Sequence, residues 1–295
     1  MDEALLRAST LQVKPELAQA LLEAVHTLPD FEYYALVDSP EQQQQILADV
    51  MKQVPELSTL AKAIRDGATQ RPYFLWVKGV ALDERCLVLI ALSLALGNLR
   101  RHHGTLAQDT LPNSAEVVKL KPAFYSERMH TDGMHWLQPN DLTCIYCVKP
   151  DQNQGGESLV IDVDTILEMI EPDEAMRHVL REVAIPFTTS FDDRVETHYH
   201  RIIDEDNRLR WYLKNIEAAI NWGEGEIDPA HLKVLRQFED LVESTTNRFQ
   251  FMLQPGDLLI VNNRKSLHGR TDIRNPLESE RTLVRTRLTL AELDA

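Results

Sequence analysis

A histidine and an aspartate stand two positions apart in the segment Met129-His130-Thr131-Asp132-Gly133. Side chains of an extended chain alternate between its two faces, so His130 and Asp132 would point to the same side. A neutral imidazole and a carboxylate on one side can bind the same divalent metal ion. The segment therefore predicts part of a metal site that needs a further ligand.

A second histidine that could complete this site is His268, in the segment 262–270 with the sequence Asn-Asn-Arg-Lys-Ser-Leu-His-Gly-Arg. Two histidines and one carboxylate that leave open coordination positions form the facial triad of non-haem Fe(II) oxygenases. A lone histidine is usually an ordinary polar residue, but these three residues together fit a metal centre. We expect His130, Asp132 and His268 to be the metal ligands and the catalytic centre.

The composition is that of a globular protein, with 295 residues, 43% hydrophobic and 26% charged. A formal net charge of −15 disfavours binding to nucleic acid or to an anionic membrane. Three cysteines do not make a disulfide framework, and Cys144 and Cys147 would face opposite sides of a strand. The start of the chain lacks the pattern of a signal peptide, and the apolar window 86–96 is about half a membrane span. We expect a cytoplasmic protein.

The sequence pattern changes along the chain, from one typical of helices to one typical of short strands. Residues 1–70 are predicted as a helical extension, with helices over 15–28, 40–54 and 55–68, and residues 71–295 as one strand-rich domain. Strands are predicted at 72–79, 116–120, 142–148, 158–163, 187–190, 209–213, 257–261 and 282–290, with helices at 82–96, 163–182 and 228–247. Short strands separated by turn residues indicate a barrel or jelly roll. The predicted fold class is α+β, and the extension would pack on the core or form a dimer interface.

Over roughly residues 115–290, the chain resembles the TauD/TfdA branch of iron(II)/2-oxoglutarate dioxygenases, which includes the clavaminate synthase-like group. The motifs that carry the resemblance are His130-Thr-Asp132-Gly, Gly155-Gly-Glu-Ser158, Asn263-Arg-Lys-Ser-Leu-His268-Gly-Arg and Arg281-Thr-Leu-Val-Arg285. The resemblance implies a double-stranded β-helix (jelly-roll, cupin-like) core with flanking helices. It also implies Fe(II) as the cofactor, with 2-oxoglutarate and O2 as co-substrates.

The resemblance also assigns roles around the iron. Arg281 would bind the distal carboxylate of 2-oxoglutarate, because the planar guanidinium matches a carboxylate bidentately. Ser158 would support the co-substrate, unless it is a plain turn serine. Arg285 would bind a substrate carboxylate. If 282–290 is a strand, Arg287 points to the same face, and we expect it to form a surface ion pair with an acidic neighbour.

The substrate side of the site is predicted from loops near the ligands. Segments 124–128 and 191–197 could close over the substrate as lids. Residues that could contact the substrate are Tyr125, Glu127, His198, His200 and Asn221.

The reaction that the resemblance implies is hydroxylation of an aliphatic C–H bond in a small carboxylate-bearing molecule, with an amino acid or amino-acid derivative of specialised metabolism as first choice. Iron halogenases of this superfamily lack the carboxylate that Asp132 provides, so hydroxylation or desaturation is favoured over halogenation. A sulfonate or dicarboxylate substrate is the alternative within this class, and a non-catalytic protein that binds iron or 2-oxoglutarate is the alternative outside it. A homodimer is possible, and the sequence does not decide the oligomeric state. A carrier protein that presents the substrate is not favoured, since both surfaces would be acidic.

Overall fold

The computed structural model describes residues 3–290 except 84, 102–115, 119–126, 135, 192–193, 274 and 276–277. The side chains of residues 116–118, 127, 189–191 and 194 are also outside this description. The helices are α1 (Glu3–Ala8), α2 (Pro15–His26), α3 (Tyr33–Val37), α4 (Pro40–Gln53), α5 (Glu56–Thr69), α6 (Leu87–Leu96), α7 (Val163–Ile170), α8 (Glu174–Glu182), α9 (Leu213–Asn221) and α10 (Pro229–Ser244). The strands are β1 (Thr10–Gln12), β2 (Phe74–Lys78), β3 (Gly97–Leu99), β4 (Glu116–Val118), β5 (Glu127–His130), β6 (Leu142–Lys149), β7 (Ser158–Asp162), β8 (Ile185–Phe191), β9 (Arg194–His200), β10 (Phe249–Phe251), β11 (Leu258–Asn262), β12 (Ser266–Arg270) and β13 (Thr282–Leu290).

These strands form two large sheets and one hairpin. The first sheet has seven strands in the order β1-β2-β11-β6-β13-β3, with β4 also paired to β13. The second has four strands in the order β10-β7-β12-β5, and β8 pairs with β9 as a separate hairpin. Because β12 lies between β5 and β7, two segments far apart in the sequence, 127–130 and 266–270, become neighbours.

Central strands of the first sheet are buried on both faces, and successive side chains belong to different cores. On β6, Cys144 and Tyr146 pack under the N-terminal helices, whereas Cys147 packs in a cluster that also contains residues of the second sheet. On β13, Val284 faces the helices and Leu283 faces the second sheet. This alternation is the strand period of two, and it directs the odd-numbered positions of β13 into the space between the sheets.

The N-terminal segment covers the outer face of the first sheet. Helices α2, α4 and α5 pack around α6, which is apolar on all sides and buried. Their side chains share one hydrophobic cluster with Tyr146, Ile260 and Leu288 of the sheet. Strand β1 also pairs in parallel with β2, so the predicted extension adds a strand to the sheet. None of the helices in the described part of the chain is long and apolar enough to cross a membrane.

Helices α7 to α10 cover the outer face of the second sheet and fix its edge strand, β5. The Trp211 and Phe238 rings meet edge to face at 4.7 Å within this second cluster. Helix α10 also bonds to β5 directly, because the Glu243 carboxylate accepts a hydrogen bond from the Met129 amide at 2.6 Å. The Glu239 carboxylate accepts one from the Arg128 guanidinium at 3.0 Å and one from Trp211 Nε1 at 3.1 Å. These bonds hold the strand that ends at His130.

Most predicted elements are present, and the exceptions have clear physical causes. The predicted strand at 209–213 is wrong: Leu209 makes one isolated bridge to Ile203, and α9 begins at Leu213. The predicted helix at 163–182 is two helices, because Pro172 cannot continue the hydrogen-bond ladder of α7. The predicted strands do not include β12, whereas the segment around His130, which was expected to be extended, forms β5.

Candidate active site

The three predicted metal ligands meet between the two sheets. His130 and His268 are directly opposite each other on β5 and β12, and their ring centroids are 4.5 Å apart. The Nε2 atoms of His130 and His268 lie 3.9 Å and 3.8 Å from the two carboxylate oxygens of Asp132. One ligand atom from each residue lies within 4.8 Å of the others, and all three side chains are buried. A single metal ion can therefore contact all three.

The imidazole of His130 is oriented from both sides. Its Nδ1 atom lies 2.8 Å from the Arg128 carbonyl oxygen, so Nδ1 carries the proton and donates it there. This tautomer leaves the Nε2 lone pair for a metal ion. The Tyr212 ring packs beside the imidazole at a centroid distance of 5.5 Å. A hydrogen bond from the second ring nitrogen is the usual support of a metal-binding histidine.

Asp132 lies in a turn after β5, not on the strand as predicted, and asparagines fix this turn. Asn263 Oδ1 accepts a hydrogen bond from the Asp132 amide at 2.7 Å, and Asn263 Nδ2 donates to the Asp132 carbonyl at 2.9 Å. Asn263 Nδ2 also lies 3.0 Å from the Asn140 carbonyl oxygen. Gly133 follows with φ +58°, a conformation that favours glycine. The chain therefore turns away directly after the carboxylate.

The Asp132 carboxylate is held by one hydroxyl and two guanidinium groups. Thr143 Oγ1 donates to Oδ2 at 2.8 Å, while Arg285 Nη1 and Arg287 Nη2 lie 3.2 Å and 3.4 Å from Oδ1. Burial opposes ionisation of Asp132, but the charges of Arg285 and Arg287 hold the pKa of the carboxyl well below its usual range. Asp132 is therefore an anionic ligand.

The sequence predicted Arg287 in a surface ion pair, and this is wrong. Its side chain is 2% exposed, and its partner is the buried carboxylate of Asp132. The same-face prediction for Arg285 and Arg287 is confirmed, because both reach the same oxygen from β13.

A pocket adjoins the ligands and contains the residues predicted to bind the co-substrate. Its lining residues include His130, His268, Ser158, Arg281 and Arg285, with the aliphatic side chains of Ile145, Leu259 and Leu283. Arg281 lines the pocket beside the Gly-Gly turn, where its Nη2 donates to the Gly156 carbonyl at 3.1 Å. Gly156 has φ +72°, and a Cβ at this position would lie 2.9 Å from Arg281 Nε. Only glycine therefore leaves the guanidinium in place without strain.

The donor set fits a divalent iron ion better than a structural zinc ion. Three protein ligands of the two-histidine, one-carboxylate type leave the other coordination positions to small molecules. The tautomer of His130, the anion of Asp132 and the adjoining arginine-lined pocket all suit such a centre. The structure thus provides one face of a coordination sphere and an anion site beside it.

Of the predicted substrate contacts, the structure describes the side chains of His198, His200 and Asn221. Tyr125 lies outside the described residues, and Glu127 begins β5 with its side chain outside this description. His198 and His200 lie on β9, where their rings are 6.2 Å apart and His200 is 6.4 Å from Phe187. Asn221 is exposed at the end of α9, about 14 Å along the helix axis from Tyr212. The structure does not bring Asn221 to the ligands.

Several residues of the site were missed by the sequence interpretation. Tyr212 packs against His130, and Asn140, Thr143 and Asn263 form the hydrogen-bond network around Asp132. All three network residues are buried polar side chains. In the sequence, the segments around them show only the pattern of a strand or a turn. The one signal available was the Asn-Asn pair at 262–263 beside a predicted ligand, since buried amides need partners.

Comparisons with known proteins place the chain among dioxygenases. A family model described as "Taurine catabolism dioxygenase TauD, TfdA family" matches residues 39–287. The chain is 28% identical to the dioxygenase str8 of Strobilurus tenacellus over 148 residues, which are 48% of this chain and 34% of that protein. It is 23% identical to the human (Homo sapiens) gamma-butyrobetaine dioxygenase over 163 residues, which are 52% of this chain and 42% of that protein. The matched segments thus span less than half of these relatives.

Solved structures share the fold over nearly the whole chain. An asparagine oxygenase, in complex with Fe(II), 2S,3S-3-hydroxyasparagine and succinate, matches with a TM-score of 0.71 and 15% identity, over 96% of this chain and 93% of the other. The non-haem iron oxygenase OrfP, with Fe, succinate and (3R,4R)-dihydroxy-L-Arg, matches with a TM-score of 0.65 and 14% identity, over 96% of this chain and 94% of the other.

Proposed function

Since the chain belongs to the TauD/TfdA family of dioxygenases, we propose that it is an Fe(II)- and 2-oxoglutarate-dependent oxygenase. It hydroxylates an aliphatic C–H bond of a small carboxylate-bearing molecule, with an amino acid or amino-acid derivative as first choice. The observation that carries this proposal is the buried cluster of His130, Asp132 and His268 beside a pocket lined by arginines.

The two sheets support a double-stranded β-helix core. They pack face to face through one hydrophobic cluster, in which Phe74 and Leu259 of the first sheet meet Val160 and Phe249 of the second. The ligands lie between the same sheets, beyond this cluster. A core of this shape, with a metal at one open end, is what the family resemblance implies.

Iron and O2, together with 2-oxoglutarate, supply the oxidation, and the protein supplies position and charge. Arg281 binds the distal carboxylate of 2-oxoglutarate in the pocket, and the Ser158 hydroxyl lies on the same wall. His130 and His268 point Nε2 into the site, while Thr143 and the two nearby arginines fix the Asp132 carboxylate. Aliphatic side chains on the pocket wall exclude water from the reacting groups.

Arg285 binds the substrate carboxylate. It lines the pocket with a side chain that is 15% exposed, so a ligand can reach it. A carboxylate bound there would lie beside the metal ligands, because Arg285 contacts Asp132 at 3.2 Å. Solved relatives in complex with hydroxyasparagine and dihydroxy-arginine support an amino acid as the substrate class.

Other functions on the same fold are less well supported. A sulfonate or dicarboxylate would also fit a cationic pocket, and desaturation needs the same site. A non-catalytic binding protein would not need all three ligands and two carboxylate-binding arginines. A homodimer, a free rather than carrier-bound substrate and a cytoplasmic location stay predictions.

Turnover of 2-oxoglutarate to succinate by the full chain, loaded with Fe(II), tests the proposal. Each proteinogenic amino acid is added in turn, and the product is examined for one added oxygen atom. We expect at least one amino acid to stimulate succinate formation, and Arg285→Met to raise its KM at least about tenfold because a charged hydrogen bond is lost.

The matched control is Arg65→Met, which removes an arginine that bonds to the Leu96 carbonyl on the opposite face of the first sheet. It should leave the KM unchanged. Absence of succinate under every condition, with iron bound, would favour the binding-protein function instead.

A further inference from the structure

Hydrogen bonds hold Arg281 at both its side chain and its main chain. At the side-chain end, Nη2 donates to the Gly156 carbonyl at 3.1 Å. At the main-chain end, the Arg281 amide donates to Ser279 Oγ at 3.3 Å. Neither partner belongs to a helix or a strand, so the regular structure does not fix either one. The position of the guanidinium therefore depends on what holds these two partners.

Both partners are connected to one buried carboxylate, that of Asp151. Its Oδ1 atom accepts a hydrogen bond from Ser279 Oγ at 2.5 Å. Its Oδ2 atom accepts from the amides of Gly155 at 3.0 Å and Asn153 at 3.1 Å, which fixes the turn that leads into Gly156. Asp151 is 5% exposed, so these bonds are shielded from water. Each carboxylate oxygen thus supports one of the two partners.

This carboxylate lies just beyond the end of a strand pair, where the backbone ladder stops. The pairing of β6 with β13 ends at Lys149 and Thr282. Asp151 follows the first of these strands, and Ser279 precedes the second. The bond between their side chains continues the connection beyond the sheet. Of the described residues that line the pocket, Arg281 is one and Asp151 is not, so Asp151 can act on a ligand only through other residues.

We propose that Asp151 is a positioning residue that fixes Arg281 for the distal carboxylate of 2-oxoglutarate. This inference rests on the proposed function and adds a role for a residue outside the pocket lining. A guanidinium binds a carboxylate through two parallel hydrogen bonds, so it must be held to within about 0.5 Å. Without Asp151, the Gly155 amide and the Ser279 hydroxyl lose their acceptor, and both supports of Arg281 loosen. None of these bonds involves a metal ligand, so the loss concerns the co-substrate alone.

Binding of two 2-oxo acids to the Co(II)-loaded full chain tests this role. Co(II) replaces Fe(II) because it is stable in air and takes similar ligands. The probes are 2-oxoglutarate and 2-oxopentanoate, which has the same carbon chain and chelating group but ends in a methyl group instead of the distal carboxylate. Calorimetric titration gives the dissociation constant of each acid. Because chelation is common to both, the ratio of the two constants isolates the contribution of the distal carboxylate.

Four variants separate positioning from a general disturbance. Asp151→Ala removes the carboxylate, and Ser279→Ala removes only the main-chain support. Asp151→Asn keeps an acceptor for the two amides and can donate to Ser279 Oγ, so it should restore binding. Asp257→Ala is the matched control, since Asp257 is a buried carboxylate that accepts from Trp76 Nε1 and the Gln254 amide, both at 2.9 Å, and is outside the described pocket lining. Circular dichroism checks that each variant is folded.

The parent protein should bind 2-oxoglutarate about 10–100-fold more tightly than 2-oxopentanoate, because only the first acid forms charged hydrogen bonds at the distal end. Asp151→Ala should weaken 2-oxoglutarate binding by about tenfold and 2-oxopentanoate binding by about twofold or less. Ser279→Ala should change the ratio in the same direction by about threefold. Asp151→Asn and Asp257→Ala should resemble the parent, and all variants should bind Co(II) with the affinity of the parent.

Two results would overturn the inference. The first is a parent-like ratio of the two constants in folded Asp151→Ala, whether or not both acids bind more weakly, since an equal loss would indicate a general disturbance of the site. The second is a parent protein that binds both acids equally, because Arg281 would then have no distal carboxylate to bind. A parent protein that binds neither acid would instead refute the proposed function. If Asp151→Ala does not fold, the ratio in Ser279→Ala decides.

Discussion

Asn263→Ala should be one of the most damaging substitutions outside the metal ligands. Asn263 is fully buried, and its amide makes two hydrogen bonds to the backbone of Asp132 and one to the Asn140 carbonyl. Alanine removes these bonds, together with a longer one to Asn140 Oδ1 at 3.3 Å, and brings no replacement. The Asp132 amide, which donates to Asn263 Oδ1, would then be buried without that acceptor.

The cost follows from the groups that lose their partners. A buried backbone group left unsatisfied costs about 1–3 kcal/mol, and the substitution affects the Asp132 amide and the two carbonyls. Water that enters the space would satisfy part of this, so we expect a loss of roughly 2–5 kcal/mol in the free energy of unfolding. Because the turn also sets the position of the carboxylate, metal affinity should fall by about 10–100-fold.

Urea unfolding of the metal-free protein, followed by circular dichroism, measures the first effect, and Co(II) titration measures the second. Asn215→Ala is the matched control, since Asn215 Nδ2 makes one partly buried hydrogen bond to the Thr188 carbonyl away from the ligands. The control should cost about 1 kcal/mol and leave metal affinity unchanged. If Asn263→Ala is no less stable than the control, or binds Co(II) like the parent, the network does not position Asp132.

Two further predictions concern the co-substrate pocket and the hairpin. Gly156→Ala should weaken 2-oxoglutarate binding by about tenfold or more, because φ is +72° and the new Cβ would lie 2.9 Å from Arg281 Nε. Fluorescence titration with 2-oxoglutarate measures this affinity. Gly223→Ala is the control, since a Cβ at that position would have no neighbouring atom within 4 Å. Burial, followed by the charges of Arg210 and other neighbours, lowers the pKa of His200 to about 4, so stability should fall as pH drops from about 6.5 toward 4. Partial exposure reduces this effect to roughly 1–2 kcal/mol, and a His200→Gln variant whose unfolding free energy shows the same pH dependence would contradict it.

The ligands could be found from the sequence because their chemistry is local. His130 and Asp132 are two residues apart, and His268 is followed by Gly-Arg in a segment with few other histidines. The strand period placed Arg285 and Arg287 on one face, and the structure confirms it. Predicted helices at 15–28, 40–54 and 55–68 appear as α2, α4 and α5, since their apolar spacing and the prolines at two of their starts are local signals.

What could not be predicted depends on contacts between distant segments. Arg287 is buried because its strand, β13, lies between β6 and β3. The spacing of residues in the sequence does not show which end of a strand is covered by neighbouring strands. Tyr212 reaches His130 because the Thr131 amide donates to the Trp211 carbonyl and the Trp211 amide donates to Thr131 Oγ1. Neither segment carries a sequence pattern that predicts this pairing. Asn221, predicted as a substrate contact, is an exposed residue at the end of α9, a position set by the packing of that helix.

Anaerobic titration of the metal-free protein with Fe(II) and 2-oxoglutarate tests the metal centre most directly. Chelation of iron by 2-oxoglutarate should give a weak metal-to-ligand charge-transfer band in the visible spectrum. His268→Ala should abolish this band, whereas His178→Ala, which changes an exposed histidine on α8, should leave it intact. A parent protein that shows no band with both components present, or a band that survives in His268→Ala, would contradict an iron site at His130, Asp132 and His268.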